Sequence, residues 1–391
     1  MSAVDLVIIG GGINGVGIAQ CAIAAGYSVT LLEKNTLAGQ TSANSSKLIH
    51  GGLRYLETGQ LSLVKHALAE RKTLLTLAPS LVNPIEFYIP IYKESRRSAL
   101  TVRAGLSLYA LLSKFDRLGQ FKSIPSVYWS SIKGLKLEGL QAVYQYWDAQ
   151  TDDKQLTLAV ARSARSLGAN ILEHVTCSKI EHQATHCVVH YQHQGAQQQL
   201  RASAVINAAG PWVNQVLDCV TPAIKPVDID WVQGSHLLLD IKAPNGIVYL
   251  ESCFDQRVIF VMPWHNKTLV GTTEVTLDKL SGDPAVSPEE VDYLLGIYQH
   301  YFPAHGDCDS LKLKIIGHFC GVRVLPKQAG NAFERTRDTL QQTSVSHPQL
   351  LTLYGGKLTT YRSTALEAID WLKSRIGQRS PLADFNHLPL E

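Results

Sequence analysis

The chain has 391 residues, of which 45% are hydrophobic and 18% are charged. This apolar content can build a full core and excludes a disordered, collagen-like or coiled-coil protein. Lys and Arg number 36 against 33 Asp and Glu, so the net charge is only +3 and no nucleic-acid partner is predicted.

The cysteines bear on the compartment and on metal binding. All seven are scattered, no C-x-x-C pair occurs, and no Cys/His cluster has the spacing of zinc ligands. This pattern predicts free thiols in a reducing, cytoplasmic compartment and no metal site.

A strand, a glycine-rich turn and a helix open the chain. Residues 4–9 are almost entirely apolar and predict a buried parallel strand, and an alanine-rich helix follows the turn. Between them, Gly10, Gly12 and Gly15 form a G-x-G-x-x-G turn. Gly10 permits the tight turn, Gly12 lets the backbone approach a pyrophosphate, and Gly15 lets the helix pack against the sheet. The helix N-terminus adds N–H groups and partial positive charge for an anion.

A second apolar strand at 27–32 ends at Glu33, whose carboxylate can bond an adenosine ribose. The whole pattern predicts a dinucleotide site; Glu33 disfavours the 2′-phosphate of NADP, while NAD and FAD both stay open. The stretch 6–32 has no charged residue and is long enough to cross a bilayer. Its six glycines, and the lack of a preceding Lys or Arg, argue against a membrane span or a signal peptide.

Helices and strands follow along the rest of the chain. Periodicity and end patterns predict helices at 61–77, 152–167, 287–301 and in the last segment to 376, and strands at 86–92, 170–175, 187–193, 202–207, 313–324 and 350–354. Glu70 and Arg71 are expected on the polar side of the helix at 61–77. Short apolar runs between 229 and 272, of which the first two are 229–232 and 236–241, predict an antiparallel meander. The turn that contains Gly210 either contacts the dinucleotide again or is purely structural.

The predicted fold class is α/β (α+β overall). A Rossmann-like nucleotide-binding domain is expected from 1–80, 150–220 and 310–391, and an inserted antiparallel-sheet domain, which binds or caps the substrate, from 81–149 and 221–309. These bounds are approximate.

Two stretches are dense in polar groups. Residues 45–55 hold two serines, three potential cations, two glycines and a tyrosine. Such glycines can approach a planar ring while His50 and Arg54 project to one side; an ordinary polar loop is the alternative. Residues 355–357, Gly-Gly-Lys, precede a helix start and can stabilise negative charge on a flavin edge or bind another anion. Arg323, at a strand end, either adds a further cation to these two polar stretches or pairs with a surface acid.

A basic segment lies at 93–122. It carries seven Lys or Arg and two Asp or Glu, a net charge of 7 − 2 = +5, and its central part at 99–112 is apolar on nearly all sides. A segment of this kind lies on an anionic membrane surface, or forms a core helix with solvated ends. Both interpretations stay open because the apolar residues do not form one clean face.

Seven blocks carry a family resemblance: GGGINGVG at 10–17, SSKLIHGGLRYLE at 45–57, NAAGPWV at 207–213, GSH at 234–236, GTTE at 271–274, GVR at 321–323 and GGKLTTYR at 355–362. Through them the chain resembles the flavin-dependent glycerol-3-phosphate dehydrogenases of the D-amino-acid-oxidase-like superfamily, over almost its whole length. The blocks at 45–57 and 355–362 are far more specific than the glycine turn.

The resemblance implies a non-covalently bound FAD, with its diphosphate on the first glycine turn and its ribose on Glu33. The nucleotide-binding domain is then an FAD-binding domain. The implied cofactor-binding residues are Gly10, Gly12, Ile13, Asn14, Gly15, Glu33, Lys34, Thr41, Ser42, Ser45, Ser46, Lys47, Leu48, His50, Gly210, Gly356, Lys357, Leu358 and Thr359.

The resemblance also implies a reaction: sn-glycerol 3-phosphate is oxidised to dihydroxyacetone phosphate, with a hydride passing from C2 to the flavin. The implied catalytic residues are His50, Arg323 and Lys357, and an imidazole has a pKa range suited to a base. The implied substrate-binding residues are Arg54, Tyr55, Arg323, Arg337 and Lys357, since arginine offers bidentate donors to a phosphate.

For the second half-reaction, the resemblance implies electron transfer to ubiquinone or another membrane quinone. It thereby implies peripheral attachment to the cytoplasmic face of the inner membrane, which gives the segment 93–122 a role; a homodimer is an open alternative to a monomer. Other relatives use oxygen instead. A sister enzyme that oxidises another hydroxy acid or an amino acid, and a flavin-binding paralogue without turnover, are the alternative functions.

The sequence departs from the family pattern at several points. GTTE at 271–274 replaces the usual GTTD, and Val324 stands where Pro is usual. The block at 147–153 lacks a preceding Trp-Val, and the helical C-terminal domain usual in the family is missing after GGKLTTYR. Substrate fit and assembly are therefore expected to differ.

Overall fold

The computed structural model describes residues 3–255, 257–280, 282–327 and 339–391. Within these ranges there are eight α-helices: α1 (Ile13–Ala24), α2 (Leu61–Leu77), α3 (Ala99–Leu112), α4 (Asp153–Ser166), α5 (Val213–Leu217), α6 (Pro288–Tyr301), α7 (Cys308–Lys312) and α8 (Tyr361–Ile376). The strands are β1 (Ala3–Ile9), β2 (Val29–Leu32), β3 (Leu48–Ile49), β4 (Val82–Tyr92), β5 (Phe121–Ser123), β6 (Leu140–Thr151), β7 (Asn170–Leu172), β8 (Thr176–His182), β9 (Cys187–His193), β10 (Ala196–Asn207), β11 (Val220–Thr221), β12 (Ile229–Leu239), β13 (Ile247–Glu251), β14 (Val258–Trp264), β15 (Lys267–Gly271), β16 (Val275–Leu277), β17 (Ile315–Pro326), β18 (Leu340–Ser344) and β19 (His347–Tyr354).

The first sheet has β1 at its centre. β1 pairs in parallel with β2 and β10, and β7 and β19 continue the parallel part on either side. The last four residues of β1 are buried and apolar, as expected for a strand covered on both faces. α1, α4 and α8 pack together over one face. The carboxyl ends of β1, β2, β10 and β19 therefore meet at one edge, where ligands bind in sheets of this type.

The second sheet has ten strands, in the order β16-β12-β15-β14-β13-β4-β6-β3, with β17 on β12 and β5 on β6. Its pairings are antiparallel except for β13 with β4. The predicted meander is confirmed for β13, β14 and β15, which pair in succession. The runs predicted at 229–232 and 236–241 form the single strand β12, because the polar Gln233 and Ser235 between them are buried and donate hydrogen bonds to Glu290.

The predicted fold class, α/β with a second, antiparallel sheet, is confirmed. Two strands of the second sheet, β3 and β17, come from stretches predicted to belong to the nucleotide-binding domain. The exact segment bounds of the two domains stay a prediction.

Two helices differ from the sequence-based expectation. α2 has the predicted bounds, but Arg71, expected on its polar side, is fully buried, because Asp148 on β6 pairs with it at 2.6 Å. α3 buries Leu106 and Tyr109 and leaves Leu100 exposed, so it is a surface helix with one covered side. In the described part of the chain, no helix combines the length and the apolar character needed to cross a membrane.

Candidate active site

The first glycine turn lies at the carboxyl edge of the first sheet and is shaped by close backbone contacts. Gly10 has a φ of 110°, and a Cβ on it would overlap the backbone of Ala208. A Cβ on Gly15 would overlap the carbonyl oxygen of Gly10. The Glu33 carboxylate accepts a hydrogen bond from the Gly11 N–H at 2.6 Å, so it holds the turn from the end of β2. The turn thus requires glycine for steric reasons at these positions.

A long cleft begins at this turn and is lined by residues from both ends of the chain. Of the residues predicted for cofactor, substrate or catalysis, those that line it are Gly12, Ile13, Asn14, Thr41, Ser42, Ser45, Ser46, Leu48, His50, Tyr55, Gly210, Arg323, Gly356, Lys357, Leu358 and Thr359. Arg54 lines an adjoining second cavity. Among the described residues, Gly10, Gly15, Glu33, Lys34 and Lys47 do not line either cavity. Arg337 lies outside the described residues.

The cleft fits a dinucleotide at its glycine-rich end. Gly12, the N-cap of α1, has no side-chain cap. The Ile13 N–H donates to the Ser42 hydroxyl at 2.9 Å, and the N–H groups that follow it in the first turn can bind an anion. Asn14 donates from its amide to the carbonyl oxygen of Gly355 at 3.1 Å and so joins the two glycine turns. The side-chain oxygen of Asn14 is buried and has no hydrogen-bond partner within the described ranges. A buried acceptor without a partner can accept a hydrogen bond from a bound ligand.

Lys47 contributes to the shape of the cleft rather than to its lining. Its ammonium donates hydrogen bonds to the Asp153 carboxylate at 2.7 Å and to the Ala43 carbonyl at 2.6 Å. It also lies 4.6 Å from the centre of the Phe319 ring. The ammonium of Lys47 is thus bound by a buried carboxylate from α4 and does not line the cleft, and contact between Lys47 and the cofactor stays a prediction. Lys34 is exposed at the surface.

Cations surround Tyr55 where the two cavities adjoin. The Lys357 ammonium lies 4.0 Å, and the Arg54 guanidinium 5.0 Å, from the centre of the Tyr55 ring. Arg323 donates a hydrogen bond to the Glu274 carboxylate at 2.8 Å. Burial lowers the pKa of Arg323, the Glu274 carboxylate opposes this shift, and the nearby Arg54 adds to it. The group is a concentrated positive site that contains one carboxylate.

His50 lies between these cations and the cleft. It lines both cavities, and its ring meets the edge of Phe260 at a centroid distance of 6.4 Å. Its backbone N–H donates to the Thr359 hydroxyl at 3.3 Å. The blocks at 45–57 and 355–362, which are far apart in sequence, are therefore in direct contact.

Glu274, His236 and Arg257 are among the residues of the site that carried no predicted role. Glu274 and His236 belong to the GTTE and GSH blocks, so their blocks were visible in the sequence but their roles were not. Arg257 lines the second cavity and lies in no recognised block. His236 is buried in the cleft, with its Nε2 at 3.0 Å from the Ser46 hydroxyl. Burial, with the positive charge of Lys47, lowers the pKa of His236 to about 3, so its ring is neutral.

Comparisons with known proteins agree with this architecture. The family model of FAD dependent oxidoreductases matches residues 5–362. The chain therefore belongs to this family of flavin enzymes, and the expected FAD cofactor is confirmed. A glycerol-3-phosphate dehydrogenase from Pseudomonas aeruginosa is 36% identical over 392 residues, which cover 96% of this chain and 73% of that one. The resemblance inferred from the seven blocks is thus confirmed.

Two further relatives bear on substrate and fold. A D-erythritol 1-phosphate dehydrogenase from Brucella abortus is 35% identical over 394 residues, which cover 98% of this chain and 76% of that one. The crystal structure of the glycerol-3-phosphate dehydrogenase from Bacillus halodurans, complexed with FAD, has a TM-score of 0.78 at 24% identity. This match covers 99% of the present chain and 68% of the other. It shows the fold alone.

Proposed function

We propose that the chain oxidises sn-glycerol 3-phosphate at C2 to dihydroxyacetone phosphate. The observation that carries the proposal is the charge of the second cavity, which is lined by Arg54, Arg257 and Arg323 and by the carboxylate of Glu274. Arg257 also pairs with Asp255 at 3.3 Å, so Arg54 and Arg323 carry the excess positive charge. A phosphate dianion requires several charge-assisted donors, and guanidinium groups supply them in pairs. An amino acid offers these cations one carboxylate but also an ammonium group, which they repel, whereas a polyol phosphate brings two negative charges and no positive one. The cavity therefore favours a polyol phosphate over an amino acid.

FAD is held, in this proposal, along the cleft. The N–H groups at the start of α1, with Gly12 and Asn14, bind its diphosphate. Glu33, which lines neither cavity and accepts from the Gly11 N–H, binds its ribose as the resemblance implies. The stretch 357–359 lies near the ring system. The segments 1–80, 150–220 and 310–391 would then be the FAD-binding domain, and 81–149 with 221–309 the domain that covers the substrate.

The residues around Tyr55 then divide the chemical work. Arg54 and Arg323 bind the substrate phosphate and so fix the position of C2. His50 accepts the proton of the C2 hydroxyl, a role that its place on both cavities supports. Lys357 adds positive charge where the two cavities adjoin. Bound FAD supplies the acceptor for the hydride that leaves C2.

The experiment is anaerobic reduction of the purified yellow protein by sn-glycerol 3-phosphate, followed through the flavin absorbance band. Loss of the flavin absorbance band soon after sn-glycerol 3-phosphate is mixed in supports the proposal. Reduction by an amino acid or another hydroxy acid but not by a polyol phosphate contradicts it, and an absence of reduction by every donor identifies a flavin-binding protein without turnover. D-erythritol 1-phosphate belongs in the series, because the Brucella relative is nearly as similar as the Pseudomonas one.

We further propose that electrons pass to a membrane quinone. The support comes from the surface around α3, where Leu100, Leu111 and Phe115 are exposed beside the basic residues of 93–122. We call this region the α3 surface. Apolar side chains rimmed by cations suit an anionic lipid surface. Reoxidation of the reduced protein by a soluble ubiquinone analogue should exceed reoxidation by oxygen; the reverse order indicates an oxidase.

Lipid binding by the α3 surface has a separate test, flotation with vesicles that contain an anionic phospholipid. Phe115→Asp should reduce the floating fraction at low salt, and added salt should reduce it for the wild type as well. Leu313→Asp is the matched control, because Leu313 is 89% exposed but lies at the end of α7, outside the α3 surface. Equal flotation of the wild type and Phe115→Asp removes the α3 surface from the proposal.

A further inference from the structure

A buried polar network lies beneath the loop that carries His50 and Arg54. Arg71 of α2, Tyr109 of α3 and Asp148 of β6 form it, and none of the three is more than 1% exposed. Arg71 donates to one carboxylate oxygen of Asp148 at 2.6 Å, and the Tyr109 hydroxyl donates to the other at 2.6 Å. Three separate elements thus meet at one carboxylate.

The network ends on the backbone of the loop. The Gly51 N–H donates to the Tyr109 hydroxyl oxygen at 2.9 Å and, over a longer distance of 3.4 Å, to the Asp148 carboxylate. The Tyr109 hydroxyl thus accepts from Gly51 and donates to Asp148 at the same time. A Cβ on Gly51 would overlap the Tyr109 hydroxyl and would lie 2.7 Å from the Leu68 side chain. Only glycine permits this approach. Burial raises the pKa of Asp148, and the Arg71 guanidinium paired with it opposes this shift. As the partner of Arg71, the carboxylate accepts, so Tyr109 donates to it and accepts from Gly51.

The preceding residue is held from the other direction. The His50 N–H donates to the Thr359 hydroxyl at 3.3 Å, just before α8. Two successive amides, of His50 and Gly51, are therefore bound to side chains from distant parts of the chain. Among the described residues, Arg71, Tyr109 and Asp148 line neither of the two cavities. They reach the site through Gly51 and through Tyr146, which lines the second cavity and meets the Tyr109 ring at a centroid distance of 5.9 Å.

We propose that Tyr109, oriented by the Asp148–Arg71 pair, is a positioning residue that fixes His50 for catalysis. A buried ion pair is weak evidence for stability, since apolar residues of similar volume often serve a core at least as well. Its hydrogen bonds do, however, specify one orientation, and a small displacement of a reacting group greatly reduces turnover. The kinetic part of this inference rests on the proposed function, but the structural part does not.

The test compares Tyr109→Phe with Tyr298→Phe. Tyr298 is a matched control: it is 1% exposed, and its hydroxyl forms a 2.8 Å hydrogen bond with His305, away from both cavities. Hydrogen exchange of the FAD-bound protein, read on a peptide that spans 48–56, should be about 10-fold faster at the Gly51 amide in Tyr109→Phe and unchanged in Tyr298→Phe. This measurement needs no substrate.

The kinetic measurement uses whichever donor reduces the wild type. Tyr109→Phe should lower kcat by about 10-fold while KM stays within about 2-fold, because positioning of the base affects the chemical step more than ground-state binding. Tyr298→Phe should leave both constants unchanged. Arg71→Lys keeps the charge but fits the site less well, so it should show a smaller loss in kcat; it carries the test if Tyr109→Phe does not fold.

Two results would overturn the inference: unchanged exchange at Gly51 in Tyr109→Phe, or a loss of kcat that Tyr298→Phe shares in equal measure. Failure of the proposed function has a different signature. In that case sn-glycerol 3-phosphate does not reduce the wild type, whereas the exchange at Gly51 still differs between the two variants.

Discussion

The pair between Lys47 and Asp153 provides a sharp test of how the cleft wall is built. The Asp153 carboxylate is fully buried and accepts hydrogen bonds from the Lys47 ammonium at 2.7 Å, from the Ser45 N–H at 2.8 Å and from the Ser45 hydroxyl at 2.6 Å. Ser45 and Ser46 line the cleft in which FAD binds. Replacement of Asp153 by alanine therefore removes a negative charge together with the acceptor that binds Ser45 and Lys47.

The expected loss of stability follows from these contacts. Asp153→Ala leaves the ammonium of Lys47 buried without its carboxylate, a change that lowers the free energy of unfolding by about 3–5 kcal/mol. Lys47→Met removes the ammonium but leaves the carboxylate with its bonds from Ser45, so its expected loss is smaller, about 2 kcal/mol. The double variant should lose less than the sum of the two, because neither charge is then left alone.

Urea unfolding of the four proteins, followed by circular dichroism, measures these differences. The FAD content after gel filtration should fall in the order wild type, Lys47→Met, Asp153→Ala. Asp370→Ala is the control, because its carboxylate pairs with Lys373 on the exposed side of α8, where such a pair contributes about 0–1 kcal/mol. If Asp153→Ala is no less stable than Asp370→Ala, the buried pair does not hold the cleft wall and the reasoning is refuted.

Three further outcomes are expected. Gly15→Ala places a Cβ against the carbonyl oxygen of Gly10, so purified protein should lose most of its FAD, measured by the ratio of absorbance at the flavin band to that at 280 nm; a normal ratio contradicts the predicted packing. Arg323→Ala should raise KM and lower kcat together in a steady-state assay, because the guanidinium of Arg323 is expected to bind the substrate in the ground and transition states alike. Arg201 is an exposed arginine on β10, and Arg201→Ala should change neither constant in the same assay. The pKa of His236 is about 3 when folded and about 6.5 when unfolded, so the unfolded chain binds more protons between these values and stability falls as pH falls. Between pH 7 and 5 this group should account for about 2 kcal/mol of unfolding free energy, and the pH slope from urea titrations should be shallower in His236→Gln; an equal slope contradicts the neutral, buried ring.

The sequence alone determined the parts of the site that depend on neighbouring residues. The turn at Gly10, Gly12 and Gly15 follows from local spacing, because a strand, a tight turn and a helix start leave little choice of residue. The specific blocks at 45–57 and 355–362 identified the family and FAD in the same way. Most of the residues predicted for the cofactor do line one cleft. Those of the two glycine turns and Gly210 follow the carboxyl ends of β1, β19 and β10, whereas those between 41 and 50 belong to the loop after β2 and to β3 of the second sheet.

Only the tertiary structure decided which charges face the cleft and which are paired elsewhere. Lys47 lies in the same block as His50, yet its ammonium is bound by Asp153, which is more than 100 residues away in sequence. Arg71 has the pattern of a solvated residue, yet Asp148 takes it into the core. A cation has the same local signature in both situations, because its partner comes from another element and the pattern around it contains no information about that partner. The position of each charge therefore depended on which elements pack together.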